Sequence, residues 1–351
     1  MLASLLESLD HSRVVSTLVT LDEPGPIAAR VSRAGVRVLS LGGRGLGVAF
    51  ARLARLLGKE TFDVVNAYGF KATLVSRMLV ASLQPSAAFV NGVRGLHITE
   101  TERVDSPKAR FALRVEHVTS RFVDAYDANS LGALDLLAAS GIDRTRMHYI
   151  PNGIDPRPWR VARGEVRNEI PVIVCVARFV ARKRHVDLLE ASAMLHSRGH
   201  AHRLVLVGYG PTLLQERERA ETLGIGQSVT FMGRVEADDV RRVLKEADLF
   251  CLVSMWEGMA GTVMEAMAAG LPVVGTMVNG IHDLVDHGVT GSLVAPCDAE
   301  ALATALAPLL ADRPRREALG RAGQERVETH FSLDAMTASK EALYCEIAGR
   351  S

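Results

Sequence analysis

The chain has 351 residues, of which 48% are hydrophobic, and its formal net charge at pH 7 is +1. This length and apolar fraction allow a large core divided between two domains, and the near-neutral charge gives no nucleic-acid signature. Four cysteines without a CxxC pair predict reduced thiols in the cytosol, and the absence of an 18-residue apolar run predicts no membrane span. No leader pattern is evident, so we expect no export.

Apolar runs of strand length alternate with helical patterns along the whole chain. One set covers residues 14–21, 36–41, 63–66, 87–90, 125–128 and 147–150. A second set covers residues 172–176, 204–207, 228–231, 249–253, 273–275 and 292–294. Such alternation predicts an α/β protein in which helices wind around parallel sheets, and two sets predict two Rossmann-like halves.

A turn-forming segment, Ile150-Pro151-Asn152-Gly153-Ile154-Asp155-Pro156, separates the two sets. We therefore expect an N-terminal domain over residues 1–155 and a C-terminal domain over residues 156–330. Residues 331–351 are predicted to form a final helix that packs back toward the N-terminal domain.

Two glutamates, Glu257 and Glu265, flank the start of a predicted helix that lies between two predicted strands. Free backbone N–H groups near residues 258–262, together with the helix dipole, form an anion site that suits phosphate. The two carboxylates suit hydroxyl groups, which donate hydrogen bonds to them. Phosphate and hydroxyls together suggest a sugar nucleotide. On spacing alone, an amphipathic helix with a solvated glutamate is the alternative.

Three further loops follow predicted strands in the C-terminal half. The loop at residues 177–184 carries four cations, including Arg178 and Lys183, which either bind a departing phosphate or form a solvated surface loop. Small residues at Gly208 and Gly210 allow a ligand to approach the backbone, and the Gly233-Arg234 loop suits a base. Because the carboxyl ends of parallel strands share one edge, we expect these loops to converge. The His200-Ala201-His202 segment is interpreted as a polar loop rather than a metal pair.

On these residues the chain resembles the family 4 glycosyltransferases, which have the GT-B fold of two Rossmann-like, doubly wound domains facing a cleft. The resemblance covers nearly the whole chain. In chain order, the matching segments are Ile150-Pro151-Asn152-Gly153-Ile154-Asp155, Arg178 and Lys183, Leu206-Val207-Gly208-Tyr209-Gly210-Pro211, Phe231-Met232-Gly233, Glu257 with Glu265, Asn279-Gly280-Ile281, and Gly288-Val289-Thr290-Gly291.

The resemblance implies that Glu257 holds the donor-sugar hydroxyls, Glu265 the ribose hydroxyls, and Arg178 with Lys183 the diphosphate. The remaining donor-binding residues that it implies are Gly258, Met259, Ala260, Gly261, Thr262, Gly208, Gly210, Gly233 and Arg234. Two positions depart from the family pattern, since Ala177 and Arg184 stand where the family usually has glycine. No Asp-x-Asp occurs in the sequence, so we expect no metal and no cofactor.

The resemblance further implies a retaining transferase that moves a sugar from a nucleotide-sugar donor to a glycan or lipid-linked acceptor in cell-surface polysaccharide synthesis. We expect a cytoplasmic protein with peripheral contact at the inner face of the membrane and no nucleic-acid partner. Two alternatives stay open at this point, a GT-B sugar-nucleotide epimerase and a truncated protein that binds the nucleotide sugar without transfer.

The N-terminal half, where the resemblance implies that the acceptor binds, has fewer residues that indicate a functional site. Arg94 and His97 follow a predicted strand, and each is either an acceptor contact or a structural residue. Family members usually open with a strand, a glycine-rich loop and a helix, whereas residues 1–9 here resemble that helix already. We therefore expect the N-terminal domain to lack its first strand, and either an upstream true start or an unstable or inactive form.

Overall fold

A computed structural model of the protein describes residues 1–43, 45–94, 107–160 and 168–349. The chain divides into two compact units, of which one comprises Met1–Gly153 with Leu333–Ser351 and the other comprises Ile154–Ser332. The last helix therefore belongs to the first unit, although the second unit precedes it in the chain. No described helix combines the length and the apolar character needed to cross a bilayer.

In the first unit the strands are β1 (Thr17–Thr20), β2 (Arg37–Ser40), β3 (Val64–Tyr68), β4 (Ala88–Val93), β5 (Ala125–Ala128) and β6 (Met147–Tyr149). Its helices are α1 (Leu2–Ser8), α2 (Pro26–Arg33), α3 (Leu46–Leu57), α4 (Phe70–Leu83), α5 (Pro107–Thr119), α6 (Leu131–Ala139) and, numbered by its place in the chain, α13 (Leu333–Ala348).

The first unit is built around a parallel sheet in the order β3-β4-β5-β6, and β1 pairs in parallel with β2 in a separate two-stranded sheet. Successive side chains of a strand point to opposite faces. Phe89 and Val93 of β4 accordingly join one core with α3, α4 and α6, while Ala88 and Val90 join a second core with α1 and α13. Helices therefore cover both faces of the sheet.

In the second unit the strands are β7 (Val172–Val176), β8 (Arg203–Val207), β9 (Val229–Gly233), β10 (Leu249–Leu252), β11 (Val273–Thr276) and β12 (Gly291–Val294). Its helices are α7 (His185–Ser197), α8 (Leu213–Thr222), α9 (Ala237–Glu246), α10 (Gly261–Ala268), α11 (Ala299–Ala311) and α12 (Arg313–His330).

The second unit has a six-stranded parallel sheet in the order β12-β11-β10-β7-β8-β9. The chain runs outward from β7 through β8 to β9 and then returns to the other side of β7 with β10. Loops after β7 and β10 therefore leave neighbouring strands in opposite directions, which creates the crevice where open α/β sheets bind ligands. Every residue of β7 and β10 is buried, as expected when helices cover both faces. The predicted parallel sheets wound by helices are confirmed.

Candidate functional site

The crevice between β7 and β10 holds an ion pair between two residues that the sequence singled out for different roles. Lys183 Nζ donates a hydrogen bond to Glu257 Oε1, and Ser254 Oγ donates to the same oxygen at 2.6 Å. The Lys183 and Glu257 side chains are only 12% and 9% exposed. The structure thus brings the predicted phosphate cation and the predicted sugar carboxylate together.

Hydrogen bonds to main-chain carbonyl oxygens hold the loop after β10 against the loop after β7 and against the end of β11. The Met255 N–H donates to the carbonyl oxygen of Arg182 at 2.8 Å, and Thr276 Oγ1 donates to the carbonyl oxygen of Ser254 at 2.6 Å. Arg182 also places its guanidinium 4.3 Å from the centre of the Trp256 ring, a cation–π contact, and lies 3.7 Å from Glu257. Arg182 therefore adds a second positive charge beside the carboxylate.

Arg178 is an exposed cation at the carboxyl end of β7. Within the described ranges its guanidinium has neither a hydrogen-bond nor an ion partner among the protein's side chains. This separates it from Lys183 and Arg182, which both contact Glu257. Arg178 is therefore the cation of this loop that is open to an incoming anion.

Arg184 stands in the left-handed backbone region, with φ 50° and ψ 42°. That conformation costs a residue with a side chain about 1 kcal/mol relative to glycine. The guanidinium of Arg184 forms two hydrogen bonds with the carboxylate of Asp187, and this bonding raises the pKa of Arg184. The extra arginine of this chain is thus tied to Asp187 in α7.

The loop after β8 lies directly on the loop after β7. Gly208 and Gly210 have φ of 144° and 155°, and a Cβ atom on either would overlap main-chain atoms of Ala177 or Phe179. The Phe179 N–H also donates to the carbonyl oxygen of Tyr209 at 2.9 Å. The close approach that these two glycines permit is therefore to the protein's own backbone.

The loop after β9 joins the same edge. Gly233 has φ 69°, and its carbonyl oxygen accepts a hydrogen bond from the Gly208 N–H at 2.9 Å. Arg234 lies 5.3 Å from the centre of the half-exposed Tyr209 ring. An arginine and an aromatic ring at a sheet edge form a platform on which a planar base can stack.

The segment from Gly258 to Thr262 leads into α10 and is held by Gly280. The Ala260 N–H donates to the Gly280 carbonyl oxygen at 3.2 Å, and a Cβ atom on Gly280 would overlap the carbonyl group of Gly258. Met259 packs against the core of the unit, and Gly261 is the first residue of α10. The Ala260 N–H, one residue before α10 begins, is thus bonded to the protein's own backbone.

Glu265 lies one turn into α10, and its side chain makes no hydrogen bond with the rest of the described protein. Burial raises the pKa of Glu265 to about 7, and the positive charge of Arg241 opposes that rise only in part. A carboxyl group in this state gains most from a partner that donates hydrogen bonds to it.

In the first unit, Arg94 belongs to a buried ionic network. Its guanidinium forms two 2.8 Å hydrogen bonds with the Asp127 carboxylate and donates to the carbonyl oxygens of Val93 and Asp127. Lys340 of α13 donates to the same carboxylate, and burial lowers the pKa of both Lys340 and Arg94. Arg94 also lines the cavity of this unit, so its assignment as an acceptor contact or a structural residue stays a prediction. His97 lies outside the described residues.

Sequence reasoning missed several members of these clusters. Ser254 and Trp256 lie in a loop already placed at the sheet edge, so strand-end position was the signal that could have found them. Arg182 is one of the four cations predicted for its loop, but the sequence predicts no separate role for it. Lys340 had no such signal, because it sits on a helix 213 residues after Asp127. His202, part of the predicted polar loop, is buried and hydrogen-bonds through its ring to Ser192 and to the His200 carbonyl oxygen.

Comparison of this chain with known proteins identifies its family and several relatives. The family described as glycosyl transferases group 1 matches residues 161–326, and the glycosyl transferase 4-like domain matches residues 1–153. The GDP-mannose-dependent alpha-(1-6)-phosphatidylinositol monomannoside mannosyltransferase of Mycobacterium tuberculosis is 32% identical over 310 residues, which are 82% of this chain and 77% of that protein. The enzyme of the same name from Mycolicibacterium smegmatis is 30% identical over 306 residues, covering 81% and 75%.

Solved structures with the same fold include Anabaena Alr3699/HepE in complex with UDP. It has a TM-score of 0.84 at 19% identity, with 98% of this chain and 95% of that chain covered. The sucrose-phosphate synthase of Thermosynechococcus elongatus has a TM-score of 0.79 at 23% identity, with 99% and 92% covered.

Proposed function

Because this chain belongs to the family 4, group 1 glycosyltransferases of GT-B fold, and is thus a nucleotide-sugar-dependent transferase, we propose that it transfers mannose from GDP-mannose. The acceptor is a hydroxyl of a lipid-linked or glycan molecule, and the anomeric configuration is retained. The two mycobacterial relatives, which align with most of this chain, are named as GDP-mannose-dependent. The observation that carries the proposal is the Lys183–Glu257 pair, with Arg178 exposed beside it.

The diphosphate is held by cations of the loop after β7. Arg178, Arg182 and Lys183 carry three positive charges, and Glu257 offsets one of them. The loop therefore has an excess of positive charge for an incoming diphosphate, in a crevice where water screens the charges poorly. Arg178 offers a bidentate fork to phosphate oxygens, and Lys183 supplies a point charge.

Donor binding exchanges the partners of the ion pair. Lys183 turns from the carboxylate to a phosphate oxygen, and Glu257 then accepts hydrogen bonds from sugar hydroxyls. Ser254 holds the carboxylate in place during the exchange. The pair is thus a preorganised pre-binding state in which neither charge is left unpaired.

The same cations stabilise the departing nucleoside diphosphate. Negative charge develops on the phosphate as the bond to the sugar breaks, and preorganised cations lower the energy of that transition state. The acceptor hydroxyl attacks from the face that the phosphate leaves, and a phosphate oxygen takes its proton. This arrangement performs transfer with protein cations in place of a metal ion.

The nucleoside is held by Glu265 and by the edge formed by Gly233, Arg234 and Tyr209. The ionised Glu265 carboxylate accepts hydrogen bonds from the two ribose hydroxyls, which provide the partners that its side chain lacks in the protein alone. Arg234 and Tyr209 offer a stacking surface for the base.

A ligand screen followed by product analysis tests the proposal. A ligand that binds only the folded state raises its apparent stability, so GDP is expected to raise the melting temperature more than UDP or ADP. GDP-mannose is expected to yield a new mannoside and GDP. A larger shift with UDP would contradict the assigned donor. An epimerised nucleotide sugar, or binding without turnover, would contradict transfer itself.

We also propose that the enzyme works in the cytoplasm with peripheral contact at the inner face of the membrane. The acceptor named for the mycobacterial relatives, a phosphatidylinositol monomannoside, is a lipid. A transferase that meets its acceptor at a bilayer needs a surface that adheres to it.

A further inference from the structure

Helices α4 and α5 of the first unit carry apolar side chains on their solvent side. Apolar side chains recur every four residues along α4, at Phe70, Leu74 and Met78, and therefore share one face of that helix. On α5, Phe111 and Val118 are seven residues apart, which is about two helical turns. These five side chains are between 36% and 66% exposed. We call this region the α4–α5 surface. A single exposed apolar residue needs no explanation, but a contiguous group of them marks an interaction site.

Positive charges flank the apolar residues. Lys71, Arg110 and Arg114 are exposed on the same two helices. The one carboxylate within residues 70–83 and 110–119, that of Glu116, is turned inward, where it accepts hydrogen bonds from Arg77 and from the Tyr126 hydroxyl. The α4–α5 surface is thus apolar and basic, with no exposed carboxylate in those two segments.

Helix α3 of the first unit shares this composition, with Leu46, Val48 and Phe50 exposed and with arginines but no carboxylate, whereas α9 and α12 of the second unit do not. In α9, Asp238 pairs with Arg241 and Asp239 with Arg242, so that both signs of charge face solvent. Helix α12 carries glutamates among its arginines in the same way, with Arg313 paired to Glu317. A helix surface with charges of both signs is typical of a helix that faces water. A surface with only positive charges beside exposed aromatic rings favours an anionic partner.

The two helices form one continuous surface. Arg77 of α4 donates a hydrogen bond to Glu116 of α5 at 2.7 Å, which joins them beneath the exposed side chains. A cavity of about 80 Å³ is lined by both helices, with Phe70, Leu74, Ala112 and Leu113 among its apolar residues, and by the carboxyl end of β4 with Arg94. Apolar groups of a partner therefore have both a ridge and a recess to contact.

We propose that the α4–α5 surface docks the enzyme onto an anionic lipid bilayer. Phe70, Phe111 and Met78 enter the boundary between headgroups and acyl chains, and Lys71, Arg110 and Arg114 contact the lipid phosphates. The charge complementarity selects a bilayer with anionic lipids over a zwitterionic one. This inference rests on the peripheral membrane contact proposed above and identifies the surface that makes it.

Vesicle sedimentation of the full chain tests the proposal. The protein is expected to bind vesicles of phosphatidylcholine mixed with phosphatidylglycerol, to bind phosphatidylcholine alone at least tenfold more weakly, and to be released by salt, roughly as expected for three surface cations. Arg110→Glu combined with Arg114→Glu is expected to weaken binding to the mixed vesicles about tenfold or more. Phe70→Ser combined with Phe111→Ser is expected to weaken it to a similar degree.

Two matched controls lie in the second unit. Arg315→Glu combined with Arg321→Glu makes the same double charge reversal on α12, and Leu214→Ser removes an apolar side chain that is 73% exposed on α8. Both are expected to bind vesicles like the wild type. Thermal unfolding confirms that each variant is folded, as expected for changes at exposed positions.

Two outcomes overturn the proposal. One is failure of the wild type to bind the mixed vesicles, which would assign the surface to an acidic protein partner instead. The other is equal binding by the surface variants and their controls. Transfer to a water-soluble glycan acceptor is measured in parallel, so that loss of vesicle binding with intact transfer separates this surface from the proposed reaction.

Discussion

Lys183 and Glu257 lie 74 residues apart in the chain and form an ion pair at the crevice between β7 and β10. Lys183 would otherwise be a nearly buried cation without an ion partner, and Glu257 would keep only Arg182, at 3.7 Å. A sugar-nucleotide donor carries both phosphate and hydroxyl groups. Phosphate can replace Glu257 as the partner of Lys183, and hydroxyls can replace Lys183 as the partners of Glu257, so donor binding can exchange the partners of the ion pair.

Lys183→Ala is expected to lower kcat/KM for GDP-mannose by about a hundredfold or more, because it removes a charge that stabilises the leaving phosphate. Glu257→Ala is expected to lower kcat/KM as well. Steady-state kinetics with Lys59→Ala, an exposed lysine of the first unit, as control would measure both. Unchanged turnover in either site variant would contradict the assigned roles. In chemical denaturation the single variants should each lose about 1–3 kcal/mol of unfolding free energy, and the double variant less than their sum.

Glu265 is expected to make both stability and donor binding depend on pH. A glutamate side chain ordinarily has a pKa of 4.5, and burial raises the pKa of Glu265 to about 7 in the folded protein, so folding favours the protonated form. The stability contributed by that protonated form is complete below pH 4.5, falls between pH 4.5 and 7, and is absent above pH 7. Glu265→Gln removes this dependence and should be more stable than the wild type at pH 8, by on the order of 2 kcal/mol.

The same ionisation should strengthen nucleotide binding as pH rises, because only the carboxylate accepts both ribose hydrogen bonds. Calorimetric titration with GDP from pH 6 to pH 8 should show increasing affinity in the wild type and a smaller change in Glu265→Gln. A wild-type affinity that falls over this range would contradict the ribose assignment.

Arg184 allows a clean measurement of backbone strain. Arg184→Gly and Arg184→Ala both remove the contact with Asp187, and they differ only in the freedom of the residue to adopt φ 50°. The glycine variant is expected to be more stable than the alanine variant by about 1 kcal/mol. Equal melting temperatures would show that the left-handed conformation is not maintained in solution.

Gly208→Ala should disturb the donor edge through its backbone. The new Cβ atom would overlap the carbonyl oxygen of Ala177 at a φ of 144°, so the loops after β7 and β8 must separate. We expect a loss of about 2 kcal/mol or more in unfolding free energy, together with weaker GDP binding. Gly47→Ala in α3, where a Cβ atom meets open space, is the control and should be neutral or slightly stabilising.

The Lys340–Asp127 pair should hold α13 in the first unit. Both side chains are fully buried, and Arg94 shares the carboxylate. Asp127→Asn leaves two buried cations without their anion and is expected to destabilise the protein by about 3 kcal/mol or more. Lys340→Met leaves the Arg94 pair intact and should destabilise it less. Denaturant unfolding followed by circular dichroism would rank the two variants, and the reverse order would contradict this account.

The family and the parallel α/β fold could be predicted from the sequence, because both depend on patterns that extend over only a few residues. Buried parallel strands appear as continuous apolar runs at β7 and β10, and the chemistry-bearing residues follow these runs directly. The position of these residues at strand ends therefore predicts one shared edge of the sheet for Arg178, Lys183, Gly208, Gly233 and Glu257. A second local signal, the break in the glycine pattern at Arg184, marked a position that has the left-handed backbone.

Only the tertiary structure decided which of these residues touch. Lys183 contacts Glu257 because β10 pairs with one side of β7, whereas β8 and β9 lie on its other side. The order of strands in a sheet cannot be predicted from local sequence. Arg94 is bound to Asp127, and α13 brings Lys340 back to the same carboxylate from 213 residues away. Periodicity and turn chemistry act over a few residues and so determine the elements. Contacts between side chains that are distant in the sequence depend on how these elements pack together in the tertiary structure.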